Sequence, residues 1–418
     1  MTQLANDARL PFLKSLDMAM SEASIPTFQP TVTGQELEAI QEVLASRTLT
    51  GKGKYTALCQ RWLESSMPHG KAFVLSSCTS ALEIAALLAE LRPGDEVIVP
   101  SYTYVSTVNA FVVHGALPVF VDVEETTLNI DAQKIEDAIT PRTKVIVPVH
   151  YAGMACDMDT ILDIASRHDL LVVEDAAMAC GSMYRGRALG TIGHLGCISF
   201  QEKKVFTSGG QGGALLVNQD SLVARAEILY EHGTNRAQFL RGEVDIYRWL
   251  DVGINATLSE IQAAFLYAQL QAAPQILSCR RRLWSRYHRC LAPLADAGVI
   301  RLPQPAALAD HNAAIFWLRL TDATDRSAFI EYMAAGQIQT QAQFVPLHSS
   351  PFGERVGRFH GEDRVTTRAA AEIVLLPLYA GLTECQQEIV IRRVLGFWRE
   401  ATSTPRTEAS RDAEVNNS

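Results

Sequence analysis

Short apolar runs rich in β-branched residues alternate with stretches of helical period between about residue 70 and residue 220. The runs predict strands at 72–75, 96–99, 117–121, 144–149, 170–173, 197–200 and 214–217, and the periodic stretches predict helices at 79–91, 104–114 and 158–168. In the first helix Ala81, Leu82, Ile84, Ala85, Leu87 and Leu88 supply the apolar side. Strands separated by helices need crossover connections, so the pattern predicts a mostly parallel sheet with helices on both faces. Val145-Ile146-Val147-Pro148-Val149 is apolar throughout instead of alternating, as burial on both faces requires. In such sheets ligands lie beyond the carboxyl ends of the strands, which is where Asp175 and Ser199 fall.

Beyond this region two long helical patterns follow, at 258–271 and 277–294. After Arg301 the text turns mixed: a strand at 314–320, a helix at 327–335, a strand near 340–345 and a last helix at 385–398. The division this suggests is a lead-in over 1–26, a large domain over 27–270, a smaller α+β domain over 271–400 and a disordered tail over 401–418, where apolar groups are few. A chain of 418 residues, 48% of them hydrophobic, exceeds what one core usually supports, so two domains are expected.

Charge and cysteine content narrow the function classes. The formal net charge is −9 and no long basic run occurs, which argues against a nucleic-acid partner. No apolar run reaches the ~20 residues that span a bilayer, and the start lacks the features of a signal peptide, so no membrane association and a cytoplasmic location are expected. The eight cysteines are dispersed without a CxxC pair, so neither a disulfide framework nor a metal site is expected.

The chemistry concentrates in two places. Leu170-Leu171-Val172-Val173-Glu174-Asp175 is an apolar strand ending in acid, and Ser199-Phe200-Gln201-Glu202-Lys203-Lys204 runs into the glycine-rich Ser208-Gly209-Gly210-Gln211-Gly212-Gly213. An amine on a short loop and a carboxylate at a strand end are the two groups a pyridoxal phosphate enzyme needs: the first bonds to the cofactor aldehyde, the second keeps the pyridine nitrogen protonated. Ser76-Ser77-Cys78-Thr79 leads from a strand into a helix, and helix N-termini accept phosphate readily; taken alone, the stretch reads first as an ordinary Ser/Thr cap.

The chain resembles the DegT/DnrJ/EryC1/StrS family of sugar-nucleotide aminotransferases over roughly residues 27–400. The phrases that carry the resemblance include Pro100-Ser101-Tyr102-Thr103-Tyr104, Val149-His150-Tyr151-Ala152-Gly153, Leu189-Gly190-Thr191-Ile192-Gly193-His194 and His232-Gly233-Thr234-Asn235-Arg236, with Phe359-His360-Gly361-Glu362-Asp363-Arg364 near the end. Within the family it looks most like the dTDP-4-amino-4,6-dideoxygalactose transaminase branch. The resemblance implies a fold-type I homodimer with active sites shared between protomers. It implies that Lys204 and Asp175 are catalytic and that Cys78, Thr79, Tyr104, Asp175, Ser199, Lys204 and Asn255 bind the cofactor. Asn255 would then reach the neighbouring subunit's phosphate. Read alone, Tyr104 is a core aromatic, Asp175 has the alternative of a helix cap, Asn255 that of a turn residue, and Lys203 is a solvated lysine. His150, Tyr151, Arg236, Arg241 and His348 are candidates for the sugar or nucleotide end.

The implied reaction takes an amino group from L-glutamate to the C4 keto group of a dTDP-4-keto-6-deoxyhexose, a nucleotide sugar. A 3-keto or other keto sugar, or a non-catalytic relative of the same fold, is the alternative. Departures from the family pattern occur at Met178, Gln201, Val205 and Gln211, where relatives commonly carry glutamine, histidine, asparagine and glutamate.

Overall fold

Eight strands build the central sheet of the computed structural model, which describes residues 24–403 apart from 69, 307 and 308. In chain order the strands are β1 (Lys71–Leu75), β2 (Glu96–Pro100), β3 (Leu117–Val121), β4 (Thr143–Ile146), β5 (Leu171–Asp175), the hairpin β6 (Met183–Tyr184) and β7 (Arg187–Ala188), then β8 (Leu195–Ser199) and β9 (Gly213–Val217). The C-terminal part adds β10 (Ile300–Arg301), β11 (Ala309–Asp310), β12 (Phe316–Leu320), β13 (Arg358–Phe359) and β14 (Ile373–Leu376). The sheet order is β1-β9-β8-β5-β4-β2-β3-β13, and β9 is the one reversed strand within it. The mostly parallel α/β sheet is therefore as the pattern predicts, and the carboxyl ends of β1, β2, β5 and β8 share one edge.

Side chains alternate between two cores, as the two-residue period of a strand dictates. Val74, Ile98, Val119, Ile146, Val172, Ile198 and Leu216 face one side, under the helices Lys54–Ser66, Met158–Arg167 and Glu260–Gln271. Phe73, Val97, Val99, Val145, Val173, Leu195 and Leu215 face the other, under Cys78–Leu88, Val105–Val112 and Asp220–Tyr230. Acids extend β5 two residues beyond the expected 173, because Glu174 and Asp175 are both buried and partnered.

The smaller unit is a three-stranded antiparallel sheet, β10-β12-β14, packed against Ala273–Asp296, Asp325–Ala335 and Glu384–Ser403. The helices Glu260–Gln271 and Ala273–Asp296 break at Ala272. Two details differ from expectation. Residues 340–345 form no strand: Gln341 makes one bridge to Leu375, but Phe344 has φ 48° and Pro346 lacks an N–H, so pairing cannot continue. The last helix continues to Ser403, into the stretch expected as tail; 404–418 lie outside the described residues. Of the expected lead-in, 1–23 lie outside them too. Ile25 and Thr27 are bonded to Gln337 and Gln339 of the smaller unit.

Asp122, just after β3, fastens the end of the chain to the sheet. Its side chain is fully buried and accepts N–H groups from Arg364, Val365 and Thr366, the Thr366 hydroxyl at 2.7 Å and the Lys134 ammonium at 2.9 Å. Burial alone would raise this carboxyl. The ammonium and the N–H and O–H donors outweigh it and hold the pKa at about 2. A depressed carboxyl stabilises the fold fully above its unfolded value near 4, and the contribution vanishes as pH falls through about 2. Asp122→Asn is expected to destabilise by about 3 kcal/mol at neutral pH. The gap from wild type should close as denaturant titrations are repeated from pH 4 down to pH 2; a gap that stays constant with pH refutes the account.

Candidate active site

The carboxyl edge of the sheet gathers the groups that the sequence singled out. After β1 the chain turns into the helix Cys78–Leu88, capped by Ser77, whose Oγ accepts the Ser80 N–H at 3.0 Å. The N–H groups of Cys78 and Thr79 fall in the first turn, where no helical carbonyl reaches them, and they carry the positive end of the helix dipole. The reversed strand β9 begins hard against this turn. A Cβ on Gly213 would lie 2.4 Å from the Cys78 nitrogen, so only glycine allows the approach. Burial drives the Cys78 thiol well above its ordinary pKa, and Asp175 adds to the effect.

Asp175 closes β5 with its carboxylate almost wholly buried. Thr107 Oγ1 donates to Oδ2 at 2.7 Å, and the Ala177 N–H donates to Oδ1 at 3.1 Å. Because the Thr107 proton is committed to the acid, the 2.9 Å contact to Thr103 Oγ1 has Thr103 as donor. The preceding Glu174, on the opposite side of the strand, accepts N–H groups from Gly190, Ile192 and Gly193 and the Nε2 proton of His150 at 2.8 Å. Burial would raise the Glu174 carboxyl, but His150 and the amides hold it below the usual range. This explains why His150 and the Gly190–Gly193 stretch occur together in the sequence: both are ligands of one buried carboxylate that fixes the end of β5.

Lys204 sits in a closed loop between β8 and β9. Its N–H donates to Gln201 O, Glu202 N–H to Gly210 O, and Phe200 N–H to Gly212 O. Burial lowers the Lys204 ammonium below the ordinary lysine value, while the Cys78 thiol and the Asp175 carboxylate pull it back up. Thus amine, acid and helix N-terminus face one cavity of about 400 Å³. Cys78, Thr79, Tyr104, Asp175, Ser199 and Lys204 all line it, as do Met178, Gln201, Lys203 and Gln211. Tyr104 is the extended N-cap of Val105–Val112 and is 60% exposed, with its ring centroid 6.2 Å from that of Phe344.

Sequence reasoning missed Ser77, Thr107, Phe28, Gln341, Gln343 and Phe344, which line the same cavity. Thr107 had a signal: it lies three positions after Tyr104, hence one helical turn on. Gln341 and Gln343, two apart in an extended stretch, also share a side.

The candidates for the sugar end do not line this cavity. His150 is fully buried, Nε2 bonded to Glu174 and Nδ1 accepting the Cys156 N–H at 3.2 Å, which leaves neither nitrogen for a ligand. Tyr151 is buried as well and acts at one remove, its hydroxyl donating to Gln343 Oε1 at 2.5 Å. His348 Nδ1 pairs with Ser101 Oγ at 2.7 Å and Nε2 with Asp363 at 3.3 Å, bracing the end of β2. Arg236 faces Glu231 at 3.6 Å, and Arg241 is neutralised by Glu227 and Glu243. Asn255 is exposed, away from its own chain's cavity.

The residues present fit pyridoxal phosphate. A half-buried amine, a buried carboxylate and a helix N-terminus with glycine-only clearance are the complementary groups for an aldehyde, a pyridinium and a phosphate. Comparison with known proteins agrees. The DegT/DnrJ/EryC1/StrS aminotransferase family matches residues 30–395. GDP-perosamine synthase of Caulobacter vibrioides is 34% identical over 364 residues, 87% of this chain and 95% of that protein. The aminotransferase TlmJ from Streptoalloteichus hindustanus is 31% identical with a TM-score of 0.82, covering 90% of this chain and 100% of that one. The PLP form of Spr1654 from Streptococcus pneumoniae is 25% identical with a TM-score of 0.80, over 90% of this chain and 99% of that one. The chain belongs to the DegT/DnrJ/EryC1/StrS aminotransferase family and is a pyridoxal phosphate-dependent sugar aminotransferase.

Proposed function

We propose that the protein transfers an amino group from L-glutamate to the C4 keto carbon of a dTDP-linked 4-keto-6-deoxyhexose. The observation that carries the reading is the cavity itself: it is lined by two amines, Lys203 and Lys204, by one acid, Asp175, and by neutral amides from Gln201, Gln211, Gln341 and Gln343. Primary amides donate and accept at once, which suits the hydroxyls of a sugar.

Pyridoxal phosphate bound here supplies an electron sink for ionising the donor's α C–H bond. The chain supplies the rest. Lys204 would hold the group through its aldehyde; its neutral amine would take a proton from the donor's α-carbon and, once charged, would return one to the acceptor carbon. The lowered ammonium suits it to both tasks. Asp175, held from two sides by Thr107 and Ala177, would face the pyridine nitrogen. The amides of Cys78 and Thr79, with Ser199, would hold the phosphate, and Tyr104 would pack on the ring. The homodimer with shared sites is supported by the exposed apolar residues Phe239, Leu240, Ile246, Tyr247, Trp249 and Leu250, which end shortly before Asn255; Trp249 is 81% exposed.

A second reading replaces the nucleotide: the 34% identical relative is named for a GDP sugar. The test is turnover with L-glutamate on dTDP- and GDP-linked 4-keto-6-deoxyhexoses and on a 3-keto isomer, with the amino position read from NMR couplings. A preference for the dTDP substrate of at least tenfold is expected, with the amine at C4. Faster turnover of the GDP sugar selects the second reading, and amination at C3 refutes both.

A further inference from the structure

We propose that Lys203 is the anion receptor of this cavity and takes a carboxylate of the amino donor; the inference rests on the aminotransferase reading above and deepens it. Lys203 lines the cavity beside Lys204, and its ammonium lies 5.9 Å from the centroid of the Phe28 ring. The charged side chains that line the cavity are Asp175, Lys203 and Lys204. On the reading above Asp175 and Lys204 serve the cofactor, which leaves Lys203, among the described residues, as the cavity charge open to a substrate. No carboxylate among the described residues lies within ion-pairing distance of it, whereas Arg236, Arg241 and His348 all have acidic partners. Its N–H is fixed by Gln201 Oε1 at 2.8 Å, so the stem starts from a defined point in the loop.

Two anions could meet this cation, the carboxylates of an amino acid and the diphosphate of a nucleotide sugar. Size and connectivity favour the first. With a pyridine ring and its phosphate inside, the rest of an approximately 400 Å³ cavity holds an amino acid or one sugar ring, not a nucleoside diphosphate as well. An α-carboxylate is attached directly to the reacting carbon, hence close to Lys204 and its neighbour. The diphosphate lies across the hexose from C4, so it falls outside the walls that Lys203 helps to form.

The test uses the cofactor-loaded enzyme and a probe that cannot react. Glutarate, a dicarboxylate without an amine, is titrated calorimetrically into wild type, Lys203→Met and Lys203→Arg; dTDP and GDP are titrated in parallel. Glutarate affinity is expected to fall about 10- to 100-fold in Lys203→Met and to recover to within about threefold in Lys203→Arg, with nucleotide affinity unchanged. The visible spectrum of the bound cofactor confirms in each variant that the site is intact. Glutarate binding that is undetectable in wild type, or equal in wild type and Lys203→Met, overturns the proposal. So does a loss confined to dTDP or GDP, which assigns Lys203 to the diphosphate. Failure of the aminotransferase reading shows separately, as a wild-type enzyme whose visible absorbance does not change when L-glutamate is added.

Discussion

Lys204→Ala will yield a folded protein without the visible absorbance of covalently held pyridoxal phosphate, and turnover will drop by roughly 10⁴-fold or more. Two roles disappear together, the covalent link and the proton carrier, so the loss exceeds what either alone would give. The adjacent amine cannot substitute. Lys203 is exposed and turned toward Phe28, whereas Lys204 is half-buried and within electrostatic reach of both Asp175 and Cys78. Lys203→Ala should therefore keep the absorbance, its effect appearing in donor binding. Borohydride reduction followed by peptide mapping locates the modified lysine directly. Cofactor found on Lys203, or absorbance lost in Lys203→Ala and kept in Lys204→Ala, places the chemistry one residue earlier than the structure suggests.

The reason the core of this site could be read from the chain is that its groups stand at strand ends. A buried parallel strand is apolar on both faces, so the acid that ends β5 and the serine that ends β8 interrupt the text visibly. Contacts that cross the fold leave no such mark. His150 and Tyr151 look like ligand-binding residues in sequence, and only the fold shows that one answers to Glu174 and the other to Gln343. The Gln341–Phe344 wall was hidden for a different reason. Its spacing imitates a strand, and the backbone reversal at Phe344 that turns it along the cavity is a tertiary outcome. Arg241 differs in its surroundings: a glycine-flanked cation reads as an anion site, and the fold sets Glu227 and Glu243 beside it.

Asp175→Asn is expected to lower turnover by roughly 10²- to 10⁴-fold while leaving the cofactor bound. The substitution preserves volume, and an asparagine can still accept from Thr107 or Ala177, so the end of β5 should keep its shape. What it cannot keep is the negative charge that favours a protonated pyridine nitrogen, and an unprotonated ring is a poorer acceptor of electrons. Thr107→Val separates the charge from its orientation. It removes the donor at 2.7 Å but leaves the carboxyl in place, so a loss of about tenfold is expected. The two variants also differ in what the spectrum reports. Asp175→Asn should shift the pH at which the bound chromophore changes protonation, because the nearest charge is gone, whereas Thr107→Val should move that pH much less. If Asp175→Asn retains more than a tenth of wild-type turnover with an unshifted spectral titration, the buried acid is a strand-end cap for Ala177 and not the partner of the ring nitrogen.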